Sequence, residues 1–328
     1  METILNISIA FIIWFQGLGG GLLEPMKFFT MLGSEEFFLV ALPMIYWCVN
    51  ASAGLRIGTI ILFTVGINDI LKLSMHGPRP YWVSAQVKAF AAETTFGMPS
   101  GHAQVAVGLW GMAAAQIKRP WAWLTAIFMI LMVGVSRIYL GVHFPHDVLL
   151  GWVIGALVLW AFLRWWDVVA VWAKSKSMGQ QIGLAFTLSM ILIILGMIGF
   201  GTLRGWVIPA GWLANAKLAG VVAPSPVSLN STISSAAVLF GMLAGLAWIN
   251  SRGGYDSKGA VWQRVMRLLP GLLGVLILYL GLRAIFPRGD DFLSYFLRYV
   301  RFASIGLWIS AGAPWVFQKV NLARNAGE

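Results

Sequence analysis

Three short clusters of polar residues stand out in a sequence that is otherwise strongly apolar. In chain order they are Lys72 with Arg79-Pro80, then Pro99-Ser100-Gly101-His102, then Ser136-Arg137 with His143 and Asp147. Arginine binds phosphate oxygens through a planar fork of N–H donors, and lysine binds them as a point charge. A histidine beside such cations is suited to attack phosphorus or to transfer a proton. Together the clusters predict a phosphate-binding site that carries its own nucleophile.

The three cations of these clusters, Lys72, Arg79 and Arg137, lie at the ends of apolar stretches. For any one of them alone, a side chain that snorkels to the membrane interface is the simpler interpretation. Three cations that meet two histidines at one membrane face are better explained as a clamp for an anion.

Ser100 and Gly101 predict the start of a helix. Serine is a favoured N-cap residue, and the free N–H groups that follow it form an anion site at the positive end of the helix dipole. Gly101 lets the backbone approach a ligand closely. An ordinary helix cap explains the same residues, but His102 in the first turn can also reach a bound anion.

His143 and Asp147 flank Pro145, which suits the first position of a helix. The Asp147 carboxylate can accept a hydrogen bond from one imidazole nitrogen of His143, which fixes the tautomer and leaves the other nitrogen as a nucleophile. The alternative is a metal site built from these two side chains together with His102 and His146. Because the neighbouring lysine and arginines would repel a metal ion, we expect neither a metal nor another cofactor.

The composition of the whole chain indicates what kind of fold positions these clusters. Of its 328 residues, 59% are hydrophobic and only 11% are charged, and the mean hydropathy is +0.80. Soluble domains carry about 25% charged residues, so the composition predicts an all-α, polytopic transmembrane helical bundle. The nine predicted spans are 35–52, 55–75, 101–117, 120–140, 147–166, 179–201, 231–250, 268–286 and 294–317.

These spans divide the chain into three regions. Residues 1–34 are apolar but interrupted by polar residues, glycine and proline, and we expect them to lie in the membrane interface, with a short span at 5–19 as the alternative. Residues 35–170 are expected to form the core that carries the clusters. Residues 171–328 are expected to form C-terminal transmembrane helices, interrupted at 202–230 by a connector, with a lid as the alternative.

The net charge of +11 is better explained by membrane topology than by nucleic-acid binding. The Lys and Arg residues are nowhere dense enough to follow a nucleic-acid backbone. More than half of them fall in loops on the membrane face opposite the clusters. The positive-inside rule places those loops in the cytosol, so we expect the site on the non-cytosolic face. Arg283, Arg298 and Arg301 fall near the same membrane face as the clusters and could attract an anionic head group, with interfacial snorkelling as the simpler interpretation for any one of them. Cys48 is the only cysteine, which excludes an internal disulfide.

In order and spacing, the three clusters resemble the phosphatase motifs of the type-2 phosphatidic acid phosphatase superfamily, over about residues 72–147. Longer stretches around the clusters resemble the glucose-6-phosphatase branch of this superfamily. Those stretches are Gly77-Pro78-Arg79-Pro80-Tyr81-Trp82, Ser136-Arg137-Ile138-Tyr139-Leu140 and His143-Phe144-Pro145-His146. Sphingosine-1-phosphate phosphatases have a similar arrangement of spans and motifs.

The resemblance implies a metal-independent mechanism. His143, oriented by Asp147, attacks phosphorus and forms a phosphohistidine. His102 protonates the leaving oxygen and then activates water. The equatorial oxygens are stabilised by the remaining residues of the clusters, which are Lys72, Arg79, Ser100, Gly101 and Arg137.

We therefore expect a multi-pass membrane phosphatase that acts on a lipid phosphate monoester or a polyprenyl diphosphate. A lipid can keep its chain in the bilayer while its phosphate enters a site at the span ends. The alternatives are a sugar phosphatase like glucose-6-phosphatase, a vanadate-dependent peroxidase and a non-catalytic transporter. Outside the site, His76 and His146 are assigned structural roles, and Glu93 either contacts substrate or has no role.

Overall fold

The computed structural model describes residues 2–326, and within that range the chain is helical, with no β-strand and 75% of residues in helices. This agrees with the predicted fold class. The helices are α1 (Glu2–Gly17), α2 (Leu23–Met31), α3 (Glu35–Met44), α4 (Ala51–Met75), α5 (Pro80–Val83), α6 (Gly101–Ile117), α7 (Pro120–Tyr139), α8 (Pro145–Lys174), α9 (Met178–Gly201), α10 (Ala210–Leu218), α11 (Asn230–Asn250), α12 (Val261–Leu276), α13 (Leu282–Ile285), α14 (Phe292–Leu307) and α15 (Ala313–Lys319).

Seven helical segments of the described residues are long and apolar enough to cross a membrane. They are Ala51–Val83, Pro120–Tyr139, Pro145–Lys174, Met178–Gly201, Asn230–Asn250, Val261–Ile285 and Phe292–Lys319. An eighth span results if α1 and α2, which are bent by 91° relative to each other, count as one broken span.

The predicted number of nine spans is therefore not confirmed, although all nine segments contain helix. The stretch predicted at 35–52 contains an apolar helix only from Phe37 to Val49. The stretch predicted at 101–117 is α6, whose 17 residues rise about 25 Å, short of the roughly 30 Å of hydrocarbon. Its polar residues, His102, Gln104 and Gln116, lower its hydropathy further.

The chain divides into two compact units, each built from separate stretches of sequence. The first unit comprises Met1–Phe37, Ile67–Trp160 and Gly196–Ser228, and the second comprises Phe38–Gly66, Ala161–Leu195 and Leu229–Glu328. The division into regions 1–34, 35–170 and 171–328 stays a prediction.

In the first unit, α6 is the most buried helix, and it packs along α7. Two glycines of α8 bring that helix against the first turns of α6. A Cβ added at Gly151 would lie 2.6 Å from the Ser100 carbonyl oxygen, and one added at Gly155 would lie 2.7 Å from the Gln104 carbonyl oxygen. Any larger residue would push the helices apart, so the glycines fix the start of α6 against α8.

The N-terminal helices of this unit are tied to α7 and to the loop before α6. The Gln16 amide donates to the carbonyl oxygens of Lys88 (2.8 Å) and Tyr139 (2.9 Å) and accepts from the Lys88 N–H. Phe15 packs edge-on against Tyr139, and α2 packs along α7. Gln16 is one of the polar residues that interrupt the apolar pattern of 1–34. Its side chain thus forms hydrogen bonds with backbone groups of the loop and of α7.

The second unit is organised around a fully buried arginine, Arg267. Its guanidinium donates to the carbonyl oxygens of Trp47, Ser257, Lys258 and Leu322, at distances of 2.6 to 2.9 Å. A buried charge is tolerated only when such hydrogen bonds satisfy it. One side chain thereby joins parts of the unit that are distant in sequence.

Also in the second unit, α11 and α14 run side by side in the same direction. Glycines set their close approach: a Cβ added at Gly241 would clash with the Ala303 carbonyl oxygen, and one added at Gly306 would lie 2.3 Å from the Val238 carbonyl oxygen. Small residues at a helix interface are a common way to pack helices in membranes.

Candidate active site

All eight residues predicted to form the site lie in the first unit. His143 follows α7, and the N–H groups of Val142 and His143 both donate to the Arg137 carbonyl oxygen, at 3.2 and 3.3 Å. Pro145 is the first residue of α8, as predicted. The Asp147 carboxylate reaches back to accept from the Phe144 N–H at 2.9 Å, which fixes the side chain in the first turn.

His143 and Asp147 are both about 1% exposed, with His143 Nδ1 3.4 Å from Asp147 Oδ2. Nδ1 has no hydrogen-bond partner in the described part of the chain, so the predicted hydrogen bond between His143 and Asp147 is not formed. The carboxylate does lie on the Nδ1 side of the ring, and Nε2 lies on the other side. The neighbouring His146 stacks on Phe144, and its Nε2 is 3.5 Å from Asp147 Oδ1.

Burial lowers the pKa of His143 well below its usual value, and the positive charges of Arg79, Arg137 and Lys72 lower it further. The imidazole is therefore neutral at neutral pH. A neutral imidazole keeps a lone pair, which is what nucleophilic attack requires.

Arg79 is fully buried directly before α5, and each of its guanidinium nitrogens has a partner within the protein. Nε donates to the Thr95 carbonyl oxygen at 2.7 Å, and Nη2 contacts Thr95 Oγ1 and the Phe96 carbonyl oxygen, both at 3.1 Å. Nη1 donates to the Val142 carbonyl oxygen at 3.0 Å and lies 3.3 Å from His143 Nε2. In this conformation Arg79 contributes positive charge and orientation to the site, and it has no N–H group left to donate to a ligand.

Arg137 is also buried, and its partners come from distant parts of the unit. Nη1 donates to Thr30 Oγ1 at 2.6 Å, and Nη2 donates to the Glu93 carboxylate. Its Nε is buried without a hydrogen-bond partner among the described residues. Arg137 therefore has donor capacity that the protein does not use.

Glu93 is a second acidic residue of the site, for which the sequence left open whether it contacts substrate or has no role. Its side chain is 28% exposed, and its Oε2 is 3.9 Å from Arg79 Nη2. Burial raises the pKa of Glu93, but the charges of Arg137 and Arg79 outweigh that effect and hold it well below the usual range. The Tyr81 hydroxyl fixes its backbone, donating to the Glu93 carbonyl oxygen (2.7 Å) and accepting from its N–H (3.0 Å).

Thr95 links Lys72 to Arg79. Lys72 Nζ donates to Thr95 Oγ1 at 3.2 Å, and the same hydroxyl contacts the Arg79 guanidinium. One loop residue thus holds two of the three predicted cations. Thr95 and Glu93 left no periodic or motif signal in the sequence.

Ser100 is the N-cap of α6, as predicted, and its Oγ accepts from the Ala103 N–H at 3.5 Å. Its own N–H donates to the Asp147 carbonyl oxygen at 3.0 Å, which joins the second cluster to the third. A Cβ added at Gly101 would lie 2.9 Å from Asn68 Oδ1, so a larger residue here would displace the Asn68 side chain. His102, one residue further on, is partly exposed.

The segment 202–230, for which a connector was favoured over a lid, packs on the loop that carries Arg79. Asn215 Nδ2 donates to the Trp82 carbonyl oxygen at 2.9 Å, and the Ser225 N–H donates to the Thr94 carbonyl oxygen at 3.0 Å. His76 Nε2 is 3.1 Å from Thr202 Oγ1, which agrees with a structural role for His76. The segment therefore forms part of the surroundings of the site.

The arrangement of cations, a buried imidazole and a helix N-terminus suits an enzyme that binds a phosphate group, and similarity to known proteins supports this. The sequence profile of the PAP2 superfamily matches residues 53–170, which include all three clusters. A second profile, that of the PAP2 superfamily phosphatase transmembrane extension, matches residues 233–325.

The chain belongs to the PAP2 superfamily. The resemblance drawn from the three clusters is thereby confirmed, and the protein is a membrane phosphatase of the PAP2 type. The second match also gives a family assignment to the C-terminal region, where the sequence offered no motif.

Known proteins similar to this chain have names that indicate different phosphate substrates. Glucose-6-phosphatase 2 of Homo sapiens is 25% identical, over 88% of this chain and 89% of that protein. A probable sphingosine-1-phosphate phosphatase of Dictyostelium discoideum is 30% identical, over 39% of this chain and 34% of that protein. A solved PAP2-type phosphatidylglycerolphosphate phosphatase from Bacillus subtilis is 25% identical, over 51% of this chain and 87% of its own, with a TM-score of 0.43.

Proposed function

We propose that this PAP2 protein hydrolyses a phosphate monoester through a phosphohistidine formed on His143. The observation that carries the proposal is the position of His143, buried between the Asp147 carboxylate at 3.4 Å and the Arg79 guanidinium at 3.3 Å. A neutral imidazole with a carboxylate at Nδ1 and a cation at Nε2 is suited to attack an anionic phosphate that the cation attracts.

In the first half-reaction, His143 Nε2 forms a bond to phosphorus as the bond to the leaving oxygen breaks. Burial and the charge of Arg137 lower the pKa of His102 in the free protein, and the negative charge of a bound phosphate favours the protonated ring. His102 then donates the proton that the leaving oxygen requires. The positive charge that develops on the His143 ring is stabilised by Asp147. Charge on the equatorial oxygens is stabilised by Arg79, Arg137 and Lys72 and by the N–H groups at the start of α6.

In the second half-reaction, water attacks the phosphohistidine. His102, now neutral, takes a proton from the water as the new P–O bond forms and the P–N bond to His143 breaks. Inorganic phosphate leaves and His102 is again protonated. Because fixed cations supply the positive charge, the reaction needs no metal ion.

As substrate we propose a lipid phosphate monoester, because residues of the clusters lie at the ends of membrane-spanning helices. Lys72 lies in the last turn of α4, Arg137 in the last turn of α7, and Asp147 in the first turn of α8. A lipid bound there keeps its chain in the bilayer. The carboxylate of Glu93 beside the cations would repel the second phosphate of a diphosphate, which favours a monoester over a polyprenyl diphosphate.

A sugar phosphate such as glucose 6-phosphate is the second candidate, and two observations favour it. The similarity to human glucose-6-phosphatase 2 extends over 88% of the chain. The segment 202–230 packs on the Arg79 loop through Asn215 and through contacts of Trp206 with Phe96 and of Trp212 with Trp82. Aromatic side chains in that position could cover a sugar ring.

The deciding experiment measures phosphate release by the purified protein in detergent micelles. Catalytic efficiency is compared for a short-chain lipid phosphate, sphingosine 1-phosphate and glucose 6-phosphate under the same conditions. Higher efficiency on the lipid monoesters supports the first candidate, and comparable or higher efficiency on the sugar phosphate would replace it with the second. Absence of phosphate release from every substrate, in a protein that binds vanadate, would contradict the hydrolase proposal.

A further inference from the structure

The second unit contains a small recess between the end of one membrane span and the start of another. Its enclosed volume is about 20 Å³, room for about one phosphate oxygen, within about 290 Å³ of space that includes the open mouth, and three arginines line it. The recess lies where the span Val261–Ile285 ends and the span Phe292–Lys319 begins, beside the first residue of α11. Its main lining residues are Asn230, Pro287, Arg288, Ser294, Arg298 and Arg301.

Arg301 is the unusual member of this group, because it is buried without the partners that a buried guanidinium normally has. Only 8% of the residue is exposed, and its Nε has no hydrogen-bond partner among residues 2–326. Its guanidinium lies over the rings of Phe302 (4.6 Å) and Tyr279 (5.7 Å). Aromatic faces stabilise a cation partly, but they do not accept its in-plane N–H groups.

Arg267, in the same unit, makes the contrast clear. Arg267 is fully buried, and carbonyl oxygens accept from each of its guanidinium nitrogens. Arg301 lines an open recess instead, next to the exposed Arg288. No ion pair in the described part of the chain joins Arg301 or Arg288 to a carboxylate.

The nearby carboxylates are already engaged elsewhere. Asp291 accepts from the N–H and the hydroxyl of Ser294, at 3.0 and 2.6 Å, and Asp290 accepts from the Tyr295 hydroxyl at 3.1 Å. Arg298 Nε also donates within the protein, to the Asn230 carbonyl oxygen (2.9 Å) and to the Ser234 hydroxyl (2.8 Å). These contacts hold the walls of the recess in place.

We propose that this recess binds a phosphate group, presented by the head group of an anionic phospholipid or as free phosphate, at a site separate from the active site. Arg301 and Arg288 would supply the N–H donors, since guanidinium groups match phosphate oxygens in pairs. The apolar surroundings fit a lipid: Phe292 is 85% exposed and Ile285 is 77% exposed, on either side of the loop. The inference is independent of the reaction proposed for His143.

The test compares the thermal stability of the full-length protein in nanodiscs of defined composition. In phosphatidylcholine discs that contain phosphatidylglycerol, the unfolding midpoint should rise by about 3 °C or more over discs of phosphatidylcholine alone. A second arm adds inorganic phosphate to the neutral discs. A shift produced by phosphatidylglycerol identifies a lipid head group, and one produced only by phosphate identifies the free anion.

Variants show whether the shift comes from the recess. Arg288→Gln and Arg301→Gln should each lose it, whereas Arg252→Gln, which removes the same charge from an exposed residue of the second unit that does not line the recess, should keep it. Arg288 is exposed, so its variant remains informative if Arg301→Gln does not fold. A shift that is absent in the wild type, or that Arg288→Gln retains in full, would overturn the proposal. Phosphate bound at the active site cannot imitate the result, because the Arg288 variant leaves that site intact.

Discussion

Arg137 Nη2 donates a hydrogen bond to the Glu93 carboxylate, within the group of cations that we propose binds the substrate phosphate. The cations of this PAP2 protein are therefore partly neutralised by an anion that belongs to the chain itself. A bound phosphate has to share Arg137 with Glu93 or displace the carboxylate. Glu93 consequently lowers the affinity of the site for every anion, including the product.

The first prediction concerns this carboxylate. Glu93→Gln keeps an oxygen that accepts from Arg137 but removes the negative charge, so the inhibition constant of inorganic phosphate should fall by about tenfold. Glu93→Ala also removes the hydrogen bond that orients Arg137 and should raise KM instead. Inhibition and steady-state kinetics of both variants measure the effects. Weaker phosphate inhibition in Glu93→Gln would mean that Glu93 acts only by positioning Arg137.

The second prediction concerns the nucleophile. His143→Ala should abolish turnover and leave no phosphate bound covalently, whereas His102→Ala should slow both half-reactions by about 10²–10⁴-fold. Asp147→Asn should reduce turnover about tenfold or more, because the tautomer of His143 is no longer fixed. Rapid-quench trapping with labelled substrate measures the phosphoenzyme. Acid-labile phosphate on His143→Ala would show that another residue is the nucleophile.

The third prediction concerns pH. Because the pKa of His143 is lowered by burial and by nearby cations, its neutral form persists below pH 6.5, and the acid limb of kcat/KM should lie below that pH. Lys72→Gln removes one of these cations, so the pKa of His143 should rise and the limb should move to higher pH. The same substrate is used for both proteins, so its own ionisation cancels in the comparison. An unchanged or acid-shifted limb in Lys72→Gln would contradict this account.

The fourth prediction concerns the charge of the site. Vanadate should inhibit, because its trigonal-bipyramidal adduct with His143 imitates the transition state, and activity should survive EDTA because fixed cations stabilise the phosphate oxygens. Both are measured by phosphate release. If a divalent ion were required to restore activity after EDTA treatment, the metal-independent mechanism would be wrong.

The fifth prediction concerns the membrane face of the site. With Cys48 replaced by Ser, a single cysteine at Ala85, an exposed residue near the site, should react with an impermeant thiol reagent on intact cells. A single cysteine at the exposed Ser175, which follows α8, should react only after permeabilisation. The reverse pattern would place the site in the cytosol.

Local rules account for what the sequence predicted well. Ser100 and Pro145 mark helix starts because capping and the fixed φ of proline act within a few residues, and both positions are correct. The number of spans was harder to predict, because α6 is enclosed by its own unit and tolerates polar residues that a lipid-facing helix would not.

What the sequence did not reveal depends on contacts between residues far apart in the chain. Glu93 lies 44 positions before Arg137, and Thr30 lies 107 positions before it. Neither residue belongs to a periodic pattern, and an isolated glutamate in a loop has no distinguishing neighbours. Likewise, nothing in 202–230 indicated that Asn215 would bind the backbone of Trp82.

The buried Arg267 has a consequence for how the second unit is synthesised. Of the carbonyl oxygens that it binds, that of Trp47 is made more than two hundred residues earlier, and that of Leu322 is made last. Until Leu322 has left the ribosome, Nε of Arg267 lacks its acceptor and Nη2 lacks one of its two. The second unit thus reaches its final packing only after Leu322 has been synthesised. A chain that terminates before Leu322 would retain a buried cation without its full set of acceptors.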